Sequence, residues 1–208
     1  MLLNKLKLSP IYDIVESPKK YTFAFIITLI SFVVMVFDPS STDILRYQSE
    51  QVSNGQIWRL ITANVCHSNW NHWALNIVGL WLMDIFYRPV LSVSIRTKLM
   101  LFCMLFNVVL LHYLISIDWY VGLSGALHGY LIGGALLSWN KAKLLNFAII
   151  TVTTAKLIIE SYWQINSATE ELIGANVLEE AHSFGGISAV LFWLIILSLG
   201  KIKKTTLQ

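Results

Sequence analysis

Six stretches of mostly apolar residues alternate with shorter polar segments along the chain. A transmembrane helix needs roughly 20 predominantly apolar residues. We therefore predict an all-α integral membrane protein, in which a single domain over residues 1–208 forms a bundle of six transmembrane helices. The polar segment 38–57, which contains Pro39, several serines and Gly55, predicts a loop. The predicted helices cover about 21–37, 58–87, 99–117, 124–139, 144–163 and 176–199.

The composition supports a membrane environment. Only 13% of the 208 residues are charged and 56% are hydrophobic, whereas a soluble domain has about 25% charged residues. The mean hydropathy is +0.63, so we expect the lipid bilayer to surround the protein. The net charge of +3 gives no indication of nucleic-acid binding. Cys66 and Cys103 both fall in apolar segments, which favours buried free thiols over a disulfide.

The basic residues predict the orientation of the bundle. With six helices, most of the 15 Lys and Arg residues fall on one side of the membrane. Basic residues in short loops stay cytoplasmic, so both termini are expected inside and the start of the fourth helix near the outer face. The residues on the predicted inner side are Lys5, Lys7, Lys19, Lys20, Arg88, Arg96, Lys98, Lys141, Lys143, Lys201, Lys203 and Lys204.

Ser124 lies between Gly122 and Gly125, where a loop becomes the fourth predicted helix. The backbone N–H groups of a first helical turn have no intrahelical partner, and the positive end of the helix dipole points there. An oxyanion that forms beside Ser124 would therefore meet a donor, and the glycines would let a substrate backbone approach. The alternative is that Ser124 serves only as an N-cap.

His182 lies near the outer end of the sixth predicted helix. A histidine within a membrane span is rare and suggests a function. Small residues recur at four-residue spacing in the fourth and sixth helices, which predicts that these two helices pack directly. Ser124 and His182 would then lie at comparable depth, as an activated hydroxyl requires. In the alternative interpretation, His182 makes only a structural hydrogen bond. The small residues are Gly125, Gly129, Gly133, Ala181, Gly185 and Ala189.

The second predicted helix supplies further polar groups. His72 and Asn76 are four residues apart and share a face, and both can donate hydrogen bonds to an oxyanion. His67, five residues before His72, would point about 140° away on a helix, so we expect it to brace a loop. His112 is expected to be structural. The chain has no His-Glu-x-x-His motif of a zinc protease, and we predict neither a metal nor another cofactor.

Three charged residues near the outer ends of the fifth and sixth helices allow more than one interpretation. Lys156 and Glu160, one turn apart, form either an interfacial ion pair or part of a watery gate that meets the substrate. Glu179, three residues before His182, could orient the imidazole ring or have no part in the site.

Together, these residues resemble the motifs of the rhomboid family of intramembrane serine proteases. The resemblance implies a rhomboid-like bundle, a Ser124/His182 dyad that needs no acidic third member, and an oxyanion site made by the Ser124 N–H, His72 and Asn76. It also implies that the 38–57 loop lies partly in the outer leaflet and that helix five, with the loop after it, gates substrate access. The matching motifs are Trp58-Arg59, His67-x4-His72-x3-Asn76, Gly122-x-Ser124-Gly125 and Ala181-His182-x-x-Gly185.

Within the family, the chain is most similar to the rhombosortase branch. The bare six-helix size, the sequence Glu180-Ala181-His182 and His128 after the serine carry this similarity. It implies a bacterial inner-membrane endopeptidase with its active site toward the periplasm. Its substrates would be membrane-anchored proteins that end in Gly-Gly followed by an apolar helix. Water would complete the hydrolysis, or another amine would make the reaction a transpeptidation.

His128 departs from the better-known rhomboids, which commonly place a tyrosine there against the catalytic histidine. On a helix, His128 lies one turn below Ser124 and can stack on His182 or compete as a hydrogen-bond partner. Two other classes of function were weighed. A non-catalytic rhomboid-like binding or quality-control factor would usually lack the serine or histidine, and a transporter would show repeats or interrupted helices. The motifs give no indication of an oligomeric state.

Overall fold

The computed structural model describes residues 18–163, 168–173 and 177–205, and these residues are largely helical. Lys5, Lys7 and the predicted start of the last helix at Asn176 lie outside this part of the chain. The helices are α1 (Thr22–Val36), α2 (Ser40–Leu45), α3 (Ser49–Ser53), α4 (Arg59–Thr62), α5 (Trp70–Tyr87), α6 (Val93–Leu114), α7 (Ser124–Leu137), α8 (Lys143–Trp163), α9 (Ala168–Ile173) and α10 (Glu179–Thr205).

Short elements connect the helices. Strands β1 (Tyr47–Gln48) and β2 (Trp119–Tyr120) pair antiparallel, with Tyr47 opposite Tyr120. The 3₁₀ turns are Pro18–Tyr21, Ala63–Val65 and Trp139–Lys141. Segment 38–57, predicted as a loop, contains α2, β1 and α3. The strand pair links this segment to the chain directly before Ser124, so the region outside the long helices helps to fix the loop that carries the serine.

The long helices are suited to a bilayer. Within the described residues, Val93–Leu114, Lys143–Tyr162 and Glu179–Gly200 are long and apolar enough to cross a membrane, and Thr22–Val36 is a shorter apolar helix. Large apolar side chains on the outer faces stay exposed, such as Phe25 in α1 at 57%. Lipid tails, rather than water, suit such a surface. The protein is therefore a multi-pass membrane protein, and the count of six spans stays a prediction.

The structure corrects the predicted continuous helix over 58–87. Helix α4 ends at Thr62, a 3₁₀ turn follows, and α5 begins only at Trp70. Asn69 has extended backbone angles (φ −166°, ψ 175°) and its side chain accepts a hydrogen bond from the His72 N–H at 2.9 Å. Asparagine is among the best N-caps, so a new helix starts here. The residues between Val65 and Asn69 are therefore not helical.

The third predicted helix begins six residues earlier than expected, at Val93 instead of Leu99. Ser92 caps it by accepting a hydrogen bond from the Ile95 N–H at 3.3 Å. The extra turn holds Arg96, which is buried and forms an ion pair with Asp84 of α5. Arg96 was predicted to lie in the turn between the second and third helices. Its ion pair with Asp84 explains why it lies inside the bundle instead.

Helices α7 and α10 pack backbone against backbone, as the small residues predicted. A Cβ atom added to Gly125 would lie 2.7 Å from the Ala181 carbonyl oxygen. One added to Gly129 would lie 3.0 Å from the Gly185 carbonyl carbon. Neither position has room for a side chain, so the glycines set the short distance between the two helices and, with it, the distance between Ser124 and His182.

Candidate active site

Ser124 is the first residue of α7, and the loop before it holds the serine in place. Leu123, not Ser124, occupies the N-cap position, and no side chain caps the helix. Gly122 has φ +124°, and a Cβ atom there would lie 2.9 Å from the His72 ring. The buried Tyr120 hydroxyl donates to the Gly122 carbonyl at 2.9 Å. A glycine is thus required at 122 both for the turn and for the close approach of His72.

The hydroxyl of Ser124 contacts His182 of α10. Ser124 Oγ lies 3.0 Å from His182 Nε2, within hydrogen-bond distance. His182 is only 5% exposed, so the contact is shielded by the bundle. A serine whose proton can pass directly to an imidazole is the minimal arrangement for an activated hydroxyl.

His128 stacks on His182 and is held by two hydrogen bonds. The ring centroids are 4.2 Å apart with an interplanar angle of 23°. His128 Nδ1–H donates to the Ser124 carbonyl at 2.9 Å, since a carbonyl oxygen can only accept. The other nitrogen, Nε2, is then an acceptor, and it lies 3.2 Å from Lys156 Nζ. Both nitrogens are engaged away from Ser124 Oγ, which leaves His182 as the imidazole beside the hydroxyl.

Lys156 and Glu160 of α8 lie on the far side of His182 from Ser124. Lys156 Nζ donates to Glu160 Oε1 at 2.6 Å. The other carboxylate oxygen, Oε2, lies 3.5 Å from His182 Nδ1. Among the residues that the structure describes, Glu160 rather than Glu179 is the carboxylate paired with this histidine. The charged pair of α8 therefore belongs to the same cluster as the serine.

His72 and Asn76 of α5 line the same cavity as Ser124 and His182. Asn76 is 4% exposed and uses one N–H to donate to the His72 carbonyl at 3.1 Å. An asparagine amide has two N–H donors, so the second is available to the cavity. His72 Nδ1 lies 3.1 Å from Ser68 Oγ and 3.5 Å from the Ser68 backbone nitrogen. Because the backbone N–H only donates, this arrangement favours the tautomer in which His72 Nε2 carries the proton.

His67 contacts His72, contrary to the prediction that the two rings do not converge. Their centroids are 5.0 Å apart and the rings meet edge to face at 83°. The prediction was wrong because it placed both residues on one helix, and α5 begins only at Trp70. His67 is buried at 2% exposure, so its ring packs against the His72 ring inside the protein. His112, expected to be structural, lies 3.0 Å through Nδ1 from the Tyr47 hydroxyl.

A cavity of about 570 Å³ joins these groups. Its lining combines the serine, histidine, asparagine and α8 side chains described above with many apolar residues. Asn69 donates a hydrogen bond to the Ile173 carbonyl, which ties α9 to the start of α5 beside the cavity. The apolar lining includes Leu75, Met83, Leu127, Ile173 and Leu178.

Among the residues that the structure describes, one group of side chains has donor atoms close enough to hold a metal ion. The ligand atoms of His128, Glu160 and His182 lie within 4.8 Å of one another. The ammonium of Lys156 already contacts two of these three side chains. A metal ion would have to displace this internal cation, so the cluster is better suited to proton transfer and charge pairing than to metal binding.

A comparison with protein families now adds to this geometry. The model of the rhomboid domain matches residues 54–199, well over half of the chain. The chain belongs to the rhomboid family. Rhomboid-family proteins are serine proteases that act on membrane proteins in the bilayer. A comparison with curated proteins found no match. The matched range contains Ser124, His182 and all the side chains described above as lying around them.

Most of the residues that the structure brings together around Ser124 were singled out from the sequence, but two contacts were missed. Glu160 was predicted to form an interfacial ion pair with Lys156 or to belong to a watery gate, and its position beside His182 was not predicted. The signal was a carboxylate within an apolar helix, at a predicted depth similar to that of the histidine. The role of Tyr120 in bracing the Gly122 turn was also missed, because a tyrosine before a loop has no distinctive pattern.

Proposed function

We propose that this rhomboid is an intramembrane serine endopeptidase in which Ser124 is the nucleophile and His182 the general base. The observation that carries the proposal is the 3.0 Å contact between Ser124 Oγ and His182 Nε2. Both residues line a cavity that is otherwise lined largely by apolar side chains. A binding factor without catalytic activity has no need of such a pair.

The proposed reaction is acyl transfer. His182 Nε2 takes the proton from Ser124 Oγ as the oxygen attacks the carbonyl carbon of the scissile peptide. The tetrahedral intermediate collapses, the C–N bond breaks, and His182 returns its proton to the leaving amine. Water then attacks the acyl-enzyme with His182 again as base, which releases the new carboxylate and restores Ser124. An amine in place of water would give a transpeptidation.

Three donors are proposed for the oxyanion. They are the backbone N–H of Ser124, the free N–H of Asn76 and the Nε2–H of His72. All three residues line the cavity, and the short distance from Gly122 to the His72 ring brings α5 against the serine loop. Fixed donors in a water-poor site stabilise a developing negative charge strongly.

The proposed topology has six spans with both termini in the cytoplasm and the site near the outer face of a bacterial inner membrane. Helix α7 has 14 residues. At 1.5 Å per residue it is roughly 21 Å long, shorter than a hydrocarbon core of about 30 Å. Its N-terminal serine would therefore lie below the membrane surface. Trp58, Trp70 and Trp119 at this end are 46–55% exposed, as in the aromatic belts of membrane interfaces.

The proposed substrates are membrane-anchored proteins with a C-terminal Gly-Gly sequence followed by an apolar helix, as processed by rhombosortases. Support comes from the similarity of the motifs to that branch and from the cavity. Leu75, Met83 and Leu127 supply apolar walls next to Ser124, which suit an apolar tail. A Gly-Gly pair would let the scissile backbone approach the crowded loop at Gly122.

Co-expression with a reporter tests the proposal. The reporter ends in a Gly-Gly-plus-helix tail, and the wild type is compared with Ser124→Ala and His182→Ala at equal membrane levels. We expect tail loss with the wild type alone. Tail retention together with fluorophosphonate labelling of Ser124 would overturn the substrate assignment only. Tail retention without labelling would favour the alternative, a non-catalytic rhomboid-like binding or quality-control factor.

A further inference from the structure

Two buried polar atoms face each other on the side of His182 that is turned away from Ser124. They are His182 Nδ1 and Glu160 Oε2, which lie 3.5 Å apart. Neither atom has a hydrogen-bond partner within the described part of the chain. Buried polar atoms are nearly always satisfied, and catalytic hydrogen bonds are often long before substrate binds. A small movement of either side chain would turn this contact into a hydrogen bond.

Other contacts hold Glu160 in this position. Its Oε1 accepts from Lys156 at 2.6 Å, one turn earlier on α8. The next residue of α8, Ser161, lies with its Oγ 3.3 Å from Ser183 Oγ, the residue after His182 on α10. The carboxylate is therefore fixed by a cation on one side, and its helix is fixed to the helix of the histidine. Only Oε2 is left to interact with the imidazole.

The exposures distinguish this arrangement from an ordinary interfacial ion pair. The Lys156 side chain is 48% exposed, whereas that of Glu160 is 15% exposed. Exposed ion pairs contribute little to stability, so the pair alone gives no reason for a carboxylate to turn into the bundle. The direction of Glu160, toward His182 and away from the exposed face, points to a role in the site.

We infer that Glu160 is a positioning residue for His182, which makes the proposed dyad a Ser124–His182–Glu160 triad. The inference rests on the proposed protease function. In the resting site, His182 Nδ1–H would donate to Glu160, which leaves the Nε2 lone pair toward Ser124 Oγ. When Nε2 takes the serine proton, the imidazolium lies beside the carboxylate. The Nδ1 proton stays on the ring throughout, as in serine-protease triads.

The inference has a structural consequence. Ser124 lies on α7, His182 on α10 and Glu160 on α8. The three side chains of the triad therefore meet only when all three helices are in contact. Displacement of α8 would remove the carboxylate while leaving the serine and histidine together. The position of α8 would then change the rate of catalysis as well as access to the cavity.

The test compares Glu160→Gln with the wild type in proteoliposomes that contain a Gly-Gly-tailed substrate. Gln keeps the size of the side chain but removes its charge. In the triad, loss of the orienting acid lowers kcat about 10⁴-fold, and because the contact here is 3.5 Å we expect a smaller fall of roughly 10- to 100-fold. KM should stay unchanged, and the rate of fluorophosphonate labelling of Ser124 should fall in parallel.

Two further variants separate positioning from a structural role. Glu160→Asp keeps the charge and should retain more kcat than Glu160→Gln. Glu180→Gln makes the same chemical change at an exposed glutamate of α10 and should leave kcat unchanged. If Glu160→Gln is poorly folded, as judged by its thermal unfolding in detergent, Glu160→Asp against wild type decides, with a lower kcat at unchanged KM expected.

Other results would overturn the inference. Wild-type kcat and labelling rate in Glu160→Gln would remove Glu160 from the mechanism. A raised KM with unchanged kcat would assign it to substrate binding instead, and equal losses in the Gln and Asp variants would assign it to packing. An inactive wild type that does not label at Ser124 would overturn the proposed function first, and the inference with it.

Discussion

Two charged clusters lie within this apolar bundle, and they differ in access to the cavity. Asp84 and Arg96 form an ion pair whose side chains are 0% and 1% exposed. Lys156 and Glu160, next to His182, are 48% and 15% exposed and line the cavity with it. The ion pair of Asp84 and Arg96 joins two consecutive helices, whereas the cluster around His182 joins α7, α8 and α10. Of these two clusters, the one around His182 lines the cavity.

The difference shows what burial does to a charged pair in a membrane protein. Around Arg96, the hydrogen-bonding groups come from the protein itself, including the Lys20 carbonyl at 2.8 Å and, through Asp84, the Tyr130 hydroxyl at 3.3 Å. This network holds α5, α6 and α7 together. Asp84 Oδ2 and Arg96 Nε have no hydrogen-bond partner within the described residues, but neither residue lines the cavity where a substrate could reach it. In the cluster around His182, the proposed reactive atoms, Ser124 Oγ and His182 Nε2, belong to residues that line the cavity. We therefore expect the first cluster to control stability and the second to control rate.

The largest expected effect on stability comes from breaking the buried ion pair of Asp84 and Arg96. Arg96→Met leaves Asp84 buried without its ion-pair partner, which should lower the free energy of unfolding by about 3–5 kcal/mol. Thermal or denaturant unfolding in detergent measures the change. The exposed Lys98→Met is the matched control and should have little effect, and activity per folded molecule should survive in both variants.

Removing both charges sharpens this prediction. Replacing a buried ion pair by apolar residues of similar size is often neutral or stabilising. The double variant Asp84→Leu with Arg96→Met should therefore be more stable than Arg96→Met alone. If the double variant is the less stable of the two, Asp84 has a role beyond balancing the arginine.

A smaller effect, on rate alone, is expected at the oxyanion site. Asn76→Ala removes one proposed donor and should lower kcat by about 10²–10³-fold, with little change in KM. Steady-state kinetics in proteoliposomes measures both constants. Asn140→Ala, at an exposed asparagine beyond the far end of α7, is the control and should behave as wild type. If kcat falls less than fivefold in Asn76→Ala, Asn76 is not a donor of the oxyanion site.

The smallest effect is expected at Lys156. Its ammonium holds Glu160 but is half exposed, so water can replace part of the interaction. Exposed ion pairs are worth about 0–1 kcal/mol, and Lys156→Gln should therefore lower kcat less than Glu160→Gln, with stability nearly unchanged. The two variants are compared in the same kinetic assay. A larger loss in Lys156→Gln would instead place the lysine itself at the reaction centre.

Much of the predicted arrangement of helices and side chains depended on the spacing of residues along single helices. The spacing of His72 and Asn76 on one helix, and of the small residues in α7 and α10, was enough to bring together the groups that line the cavity. These patterns depend on residues that are close in sequence, where helix geometry fixes the relative positions.

Contacts that depend on the rotation of one helix against another could not be predicted in the same way. Glu160 contacts His182 only because the rotation of α8 about its axis places this carboxylate beside the imidazole of α10. The His67–His72 contact needed the break before Trp70, which a continuous apolar pattern hid. Arg96 was predicted to lie in a cytoplasmic turn because the helix that begins after Ser92 was predicted to start only at Leu99.

The central claim is that Ser124 is a nucleophile activated by His182. Mass-spectrometric mapping of a fluorophosphonate adduct on the full-length protein in detergent tests it most directly, with wild type and His182→Ala compared at equal folded concentration. The account predicts an adduct on Ser124 in the wild type and its near-complete loss in His182→Ala. An unmodified Ser124 in the folded wild type, or equal labelling in both proteins, would contradict it.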